Sequence, residues 1–213
     1  MHNLLIPKKE MLRGHQMRDT EKVAAYLSGL SYLEDKTSQL YNTLSDKVKH
    51  PHAKALLLYI AFDSLKHSAI MKSIATDMAN LQFKPKDYKK IMGSTWETIE
   101  RLSQKMQKTK EITPKTLLST MDELLTVYAI TRIQFQTLQA MAEPISQRYG
   151  VDIQEIKDIL ELTIMDQQTD TEVLTSIKNI FLKDENGEDG TPAVKYQTPD
   201  RWYVSGLGKM NQF

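Results

Sequence analysis

The sequence predicts an all-α protein: an antiparallel four-helix bundle made of two related helix hairpins with a long connection, followed by an irregular C-terminal strap. Three observations point there. The 213 residues hold only 8 Gly and 7 Pro, and most lie near the N-terminus, around residues 85 to 93 and after residue 187. Long stretches are therefore free of helix breakers. Within them apolar residues recur at spacings of three and four, and the second half of the chain partly repeats the first.

The first helix is expected to start at Asp19 or Thr20, either of which can cap free backbone N–H groups, and to end near Val48. Val23, Leu27, Leu30, Leu33, Leu40 and Leu44 form its apolar stripe. His50-Pro51-His52 reads as a turn, because Pro is accepted at a first helical position and rejected from an interior. A second helix follows from about Pro51 to Met78.

Residues 84 to 110 carry eight Lys or Arg against three acids and read as a basic connection with one helix, Ser94 to Lys108. Thr113-Pro114 supplies a cap and a first-position Pro for the third long helix, which reaches Met141 or beyond. Tyr149-Gly150-Val151-Asp152 is a stop and a new cap, so the fourth helix occupies roughly Ile153 to Leu182. The domain layout is then an N-terminal segment 1–18, a helical body 19–183 with its basic connection at about 84–112, and an acidic, Gly-rich linker and extended tail 184–213. Trp202 and Tyr203 in that tail suggest docking against the body of the protein.

Composition narrows the function classes. Charged residues make up 26% and hydrophobic ones 40%, as in ordinary globular proteins. The longest apolar run, Ala55 to Phe62, is far shorter than the roughly 20 residues a membrane span requires. Leu4-Leu5-Ile6 precedes Pro7-Lys8-Lys9, the wrong order for a secretory signal, which predicts a cytoplasmic protein. The absence of Cys excludes disulfides, thiolate metal sites and a thiol nucleophile. A net charge of +1 argues against nucleic acid as the main partner. Most of the Met residues, Met71, Met121, Met141 and Met165 among them, read as core filling.

The repeat is the most informative feature. Asp63-Ser-Leu-Lys-His-Ser-Ala-Ile-Met-Lys-Ser-Ile74 aligns with Asp166-Gln-Gln-Thr-Asp-Thr-Glu-Val-Leu-Thr-Ser-Ile177, with Asp, Ser and Ile shared and apolar positions matched. In the preceding helices Glu34, Thr37, Tyr41 and Leu44 answer Tyr128, Thr131, Phe135 and Leu138.

In these residues the stretch from about 20 to 182 resembles the ferritin-like, rubrerythrin-type carboxylate proteins. In that family each hairpin gives one Glu from its first helix and Glu-x-x-His from its second to a two-metal cage. The resemblance places Glu34 at the first-helix Glu and His67 at the second-helix His. Ser64 stands at the second-helix Glu, Tyr128 at the third-helix Glu with Glu123 as the nearest acid, Gln167 at the fourth-helix Glu and Asp170 at the fourth-helix His. It also implies that Asp63 and Asp166 orient a ligand His from behind.

Two expectations of different class follow. One is a non-catalytic ferritin-like protein with an incomplete metal site, a structural or interaction subunit that pairs as a homodimer. The other is a metal-binding protein or oxidoreductase in which Glu34, His67 and Asp170 hold one divalent ion of iron, manganese or zinc. The chain thus works without a cofactor or with that single ion.

Overall fold

The computed structural model describes residues 19–79, 85–149 and 154–185, which are helical with short connections and contain no strand. The six helices are α1 (Asp19–Lys47), α2 (Pro51–Met78), α3 (Pro85–Met92), α4 (Ser94–Lys108), α5 (Pro114–Tyr149) and α6 (Gln154–Glu185). Among the described residues no helix is long and apolar enough to cross a membrane. The expected N-terminal segment, the Asp152 cap and the strap with Trp202 and Tyr203 lie outside the described residues.

Helix ends fall where local chemistry places them. His50 Nδ1 accepts a hydrogen bond from the Ala53 N–H at 3.3 Å while Pro51 takes the first helical position of α2. Thr113 Oγ1 accepts from the Thr116 N–H at 3.2 Å and Pro114 opens α5 in the same way. Helix α3 is an addition, since its stretch reads from sequence only as part of a basic connection. Eight residues are too few to hold a helix by propensity, so docking must supply the stability. Tyr88, Ile91 and Met92 provide it by packing on the core.

Two glycines make that docking possible. A Cβ on Gly29 of α1 would lie 2.9 Å from Met92 Cε and 3.4 Å from Ile91 Cγ2, so the bare backbone admits the α3 end. Gly93 links α3 to α4 at φ 57° and ψ −130°, a conformation closed to L side chains. Nothing lies within 4 Å of an added Cβ there, so the cost of Gly93→Ala is purely conformational. We expect a loss of about 1–3 kcal/mol in urea unfolding; an unchanged midpoint would mean that the turn relaxes freely.

Helices α1 and α2 pack most extensively on each other, α5 packs against α6, and α2 also packs against α6. The other side of α1 receives α3 and α4, whereas α1 and α5 approach closely at few points. The ring of Tyr32 on α1 stacks with Tyr88 of α3 at 5.1 Å and with Trp96 of α4 at 5.0 Å. Lys47 Nζ, at the end of α1, donates to the carbonyls of Met106 and Thr109, the latter at 2.6 Å. A cation there satisfies free carbonyls and complements the negative end of the α4 dipole.

Repeat partners have similar burial. Tyr41 and Phe135 are both fully enclosed, as are Met71 and Leu174, and Leu44 and Leu138 are both buried. Thr37 Oγ1 bonds the Leu33 carbonyl at 2.9 Å, and Thr131 Oγ1 bonds the Val127 carbonyl at 3.1 Å. The two hairpins thus answer each other in three dimensions at these positions. Met71 and Met121 fill the core as expected, while Met165 is exposed.

Candidate functional site

Polar side chains from α1, α2, α5 and α6 gather inside the protein, level with the repeat. Residues three, four or seven apart on a helix share a face. The sequence 34/37/41 on α1, 64/67 on α2, 128/131 on α5 and 167/170 on α6 therefore turns one polar or aromatic row of each helix inward. Glu34, Ser64, His67, Tyr128, Thr131, Gln167 and Asp170 are all buried, each no more than 5% exposed.

The geometry divides them into linked pairs. Gln167 Nε2 lies 3.2 Å from Glu34 Oε1 and 3.3 Å from Thr131 Oγ1, so one amide joins α6 to α1 and α5. The Tyr128 hydroxyl donates to Asp170 Oδ2 at 3.3 Å. The rings of Tyr41 and Tyr128 lie 6.4 Å apart across the space between α1 and α5. On the α2/α6 side His67 Nε2 sits 3.2 Å from Asp166 Oδ2, and the same oxygen takes Lys66 Nζ at 2.7 Å. Lys66 also donates to Asp63 Oδ1 at 2.7 Å.

Electrostatics follow depth. Burial pushes the Glu34 carboxyl above its ordinary range, with His67 and the Gln167 amide opposing in part. The Asp170 carboxyl is pushed up to about 9 by burial, with Asp63 and Glu34 adding repulsion. It carries a proton at neutral pH. The hydroxyls of Tyr41 and Tyr128 are raised by burial as well. Asp166 lies nearer the surface, and His67 with Lys66 holds it below the usual carboxylate range. Asp166 is thus the ionised acceptor, and His67 presents Nε2–H to it.

Four oxygens at this centre, Tyr41 OH, Ser64 Oγ, Gln167 Oε1 and Asp170 Oδ1, are buried without a hydrogen-bond partner. Each such group costs about 1–3 kcal/mol if it stays unsatisfied.

The residues singled out from sequence are thus placed as follows. Glu34, Ser64, Tyr128, Gln167 and Asp170 converge, and Tyr128 faces the centre while Glu123 turns away to pair with Arg101. His67 reaches Asp166 across the helix interface, and Asp63 serves Lys66. Among the described residues no three His, Asp or Glu side chains come together as a ligand set. With neutral Ser64, Tyr128 and Gln167 at three of the positions, the residues present do not fit a two-metal centre, which needs several ionised carboxylates. Tyr41, Thr131 and Lys66 also belong to the network. Spacing could have found the first two, each on the inward face of its helix with Glu34 or Tyr128, whereas Lys66 could be placed only by the approach of α2 to α6.

No family model matches the chain, and neither a curated protein nor a solved structure shows significant similarity to it.

Proposed function

We propose that the chain is a ferritin-like antiparallel four-helix bundle of α1, α2, α5 and α6 that acts without catalysis, as a structural or interaction subunit forming a homodimer. The observation behind this reading is the state of the polar centre. Gln167 spends its amide donors on Glu34 and Thr131, Tyr128 spends its hydroxyl on Asp170, and burial raises both inner carboxyls, Asp170 to about 9. Such a network links three helices at one depth and fixes their register, because any slip leaves buried polar atoms alone. A metal ion would have to displace the Gln167 bond to reach Glu34.

One feature favours a second reading, a single divalent ion. The unpartnered oxygens of Ser64, Gln167 and Asp170 neighbour Glu34, and oxygen donors of that kind suit manganese or iron. Metal content separates the two. Purification without chelators, followed by incubation with iron, manganese and zinc in turn, is expected to yield substoichiometric metal, unchanged in Glu34→Gln and His67→Ala. A stoichiometric ion that disappears in either variant overturns the first reading and establishes the second.

A further inference from the structure

We propose that the end of the protein where α1, α4 and α6 finish and α2 and α5 begin is a basic docking surface, and that its occupant is the chain's own acidic segment, Asp184 to Asp189. Docked there, the segment closes the surface to other polyanions. The contact stands apart from the polar centre and from the homodimer.

The fold gathers cations at this end from stretches far apart in sequence. Lys47 Nζ reaches the carbonyls of Met106 and Thr109, Lys49 pairs with Glu111, and the rings of His50 and Phe181 lie 6.0 Å apart. Around these contacts Lys54, Lys108, Lys110 and Lys115 are exposed and enter no ion pair among the described residues. Against them stand Asp46 and Glu111, and Lys49 already holds Glu111. Cations grouped in this way without partners keep a positive potential that draws in an anionic segment.

Charge and chain geometry select the occupant. Of the six residues from Asp184 to Asp189, Asp184, Glu185, Glu188 and Asp189 are acidic and none is basic. Helix α6 runs antiparallel to α5, since Tyr128 meets Asp170 and, further along, Asp122 meets Lys178. Seven residues beyond that second pair, two helical turns on each helix, Lys115 lies on the row of Asp122 and level with Glu185, the last residue of α6. Helix α2, with Lys54 in its first turn, flanks the same end through His50 and Phe181. The segment thus starts between two lysine-bearing helices. From Glu185 to Asp189 it extends up to about 14 Å, more than the roughly 8–10 Å between packed helices. One exposed ion pair contributes little, but an attached segment is held at about millimolar effective concentration, so several weak pairs suffice.

In the full wild-type chain, a carbodiimide that joins carboxylates directly to amines should link the acidic segment to Lys54, Lys110 or Lys115 at low salt. In about 1 M salt, which screens charges beyond about 3 Å, the yield should fall about fivefold or more. When isotopically heavy and light chains are mixed, each linked pair of peptides should carry a single label. The combined variant Asp184→Asn, Glu185→Gln, Glu188→Gln, Asp189→Asn should bind heparin about tenfold or more tightly than the wild type at low salt, because the lysines then meet no attached competitor. Adding Lys54→Gln, Lys110→Gln and Lys115→Gln should remove that gain, with helicity by circular dichroism unchanged throughout. Cross-links that avoid these three lysines, or equal heparin affinity of the wild type and the amide variant, overturn the proposal. Cross-links between heavy and light chains overturn docking within one chain.

Discussion

Asp170→Asn is expected to stabilise the protein at pH 8 by about 2 kcal/mol or more, and to leave its stability at pH 4 nearly unchanged. The cause is the proton that the folded protein keeps on Asp170, whose carboxyl is pushed up to about 9 from the ordinary 3.8. Between those values the folded chain binds a proton that the unfolded chain has released. Stability therefore falls as pH rises through this window and levels off above about 9. Glu34, also raised by burial, adds a slope of the same sign. Asp166 acts oppositely, since a carboxylate held low contributes stability that is lost only as pH falls below its ordinary range. Together they put the most stable pH on the acid side of neutrality.

Asparagine keeps an oxygen to accept from the Tyr128 hydroxyl and does not titrate, so the variant should lose most of the alkaline slope. Urea unfolding of both proteins at pH 5 and pH 8 reads this directly. A gap between them that is the same at both pH values would show that Asp170 is ionised in the fold, and would remove the proton-bearing centre on which the non-catalytic reading rests.

Trp96→Ala should cost about 3–5 kcal/mol, the usual loss for truncating a large buried aromatic. Trp96 is 7% exposed and stacks on Tyr32 at 5.0 Å with its plane inclined by 17°. It begins the apolar face of α4, continued by Ile99, Leu102 and Met106, all fully buried. The connection between the two hairpins thus belongs to the core and does not loop over it. Removing the indole leaves a cavity under α4 and frees one face of Tyr32, which still stacks with Tyr88. A loss below about 1 kcal/mol would mean that α4 contributes little to holding α1.

These effects bear on what could be read ahead of the structure. The long helices were legible to within a residue or so at most ends that the structure describes, because their signals are local: Pro51 and Pro114 at first positions, His50 and Thr113 before them, and Leu27, Leu30 and Leu44 on one stripe. Helix α3 was not legible. Its eight residues gain their order from Gly29 and the core beneath Tyr88 and Met92, contacts distant in sequence. Of the polar centre, the repeat indicated which positions face inward, and Glu34, Ser64, His67, Tyr128, Gln167 and Asp170 all do. It did not indicate their pairing.

By itself, then, the sequence determined the long helices, most of their ends and their inward rows, since capping, proline placement and three-to-four spacing act between residues a turn or two apart. Only the tertiary structure decided that Gln167 serves Glu34, that His67 turns to Asp166, that Asp170 keeps its proton and that Phe62 is left facing solvent. Desolvation and hydrogen bonding between helices depend on which side chains share an interior and how far water is excluded, and these are properties of packing that no local pattern carries.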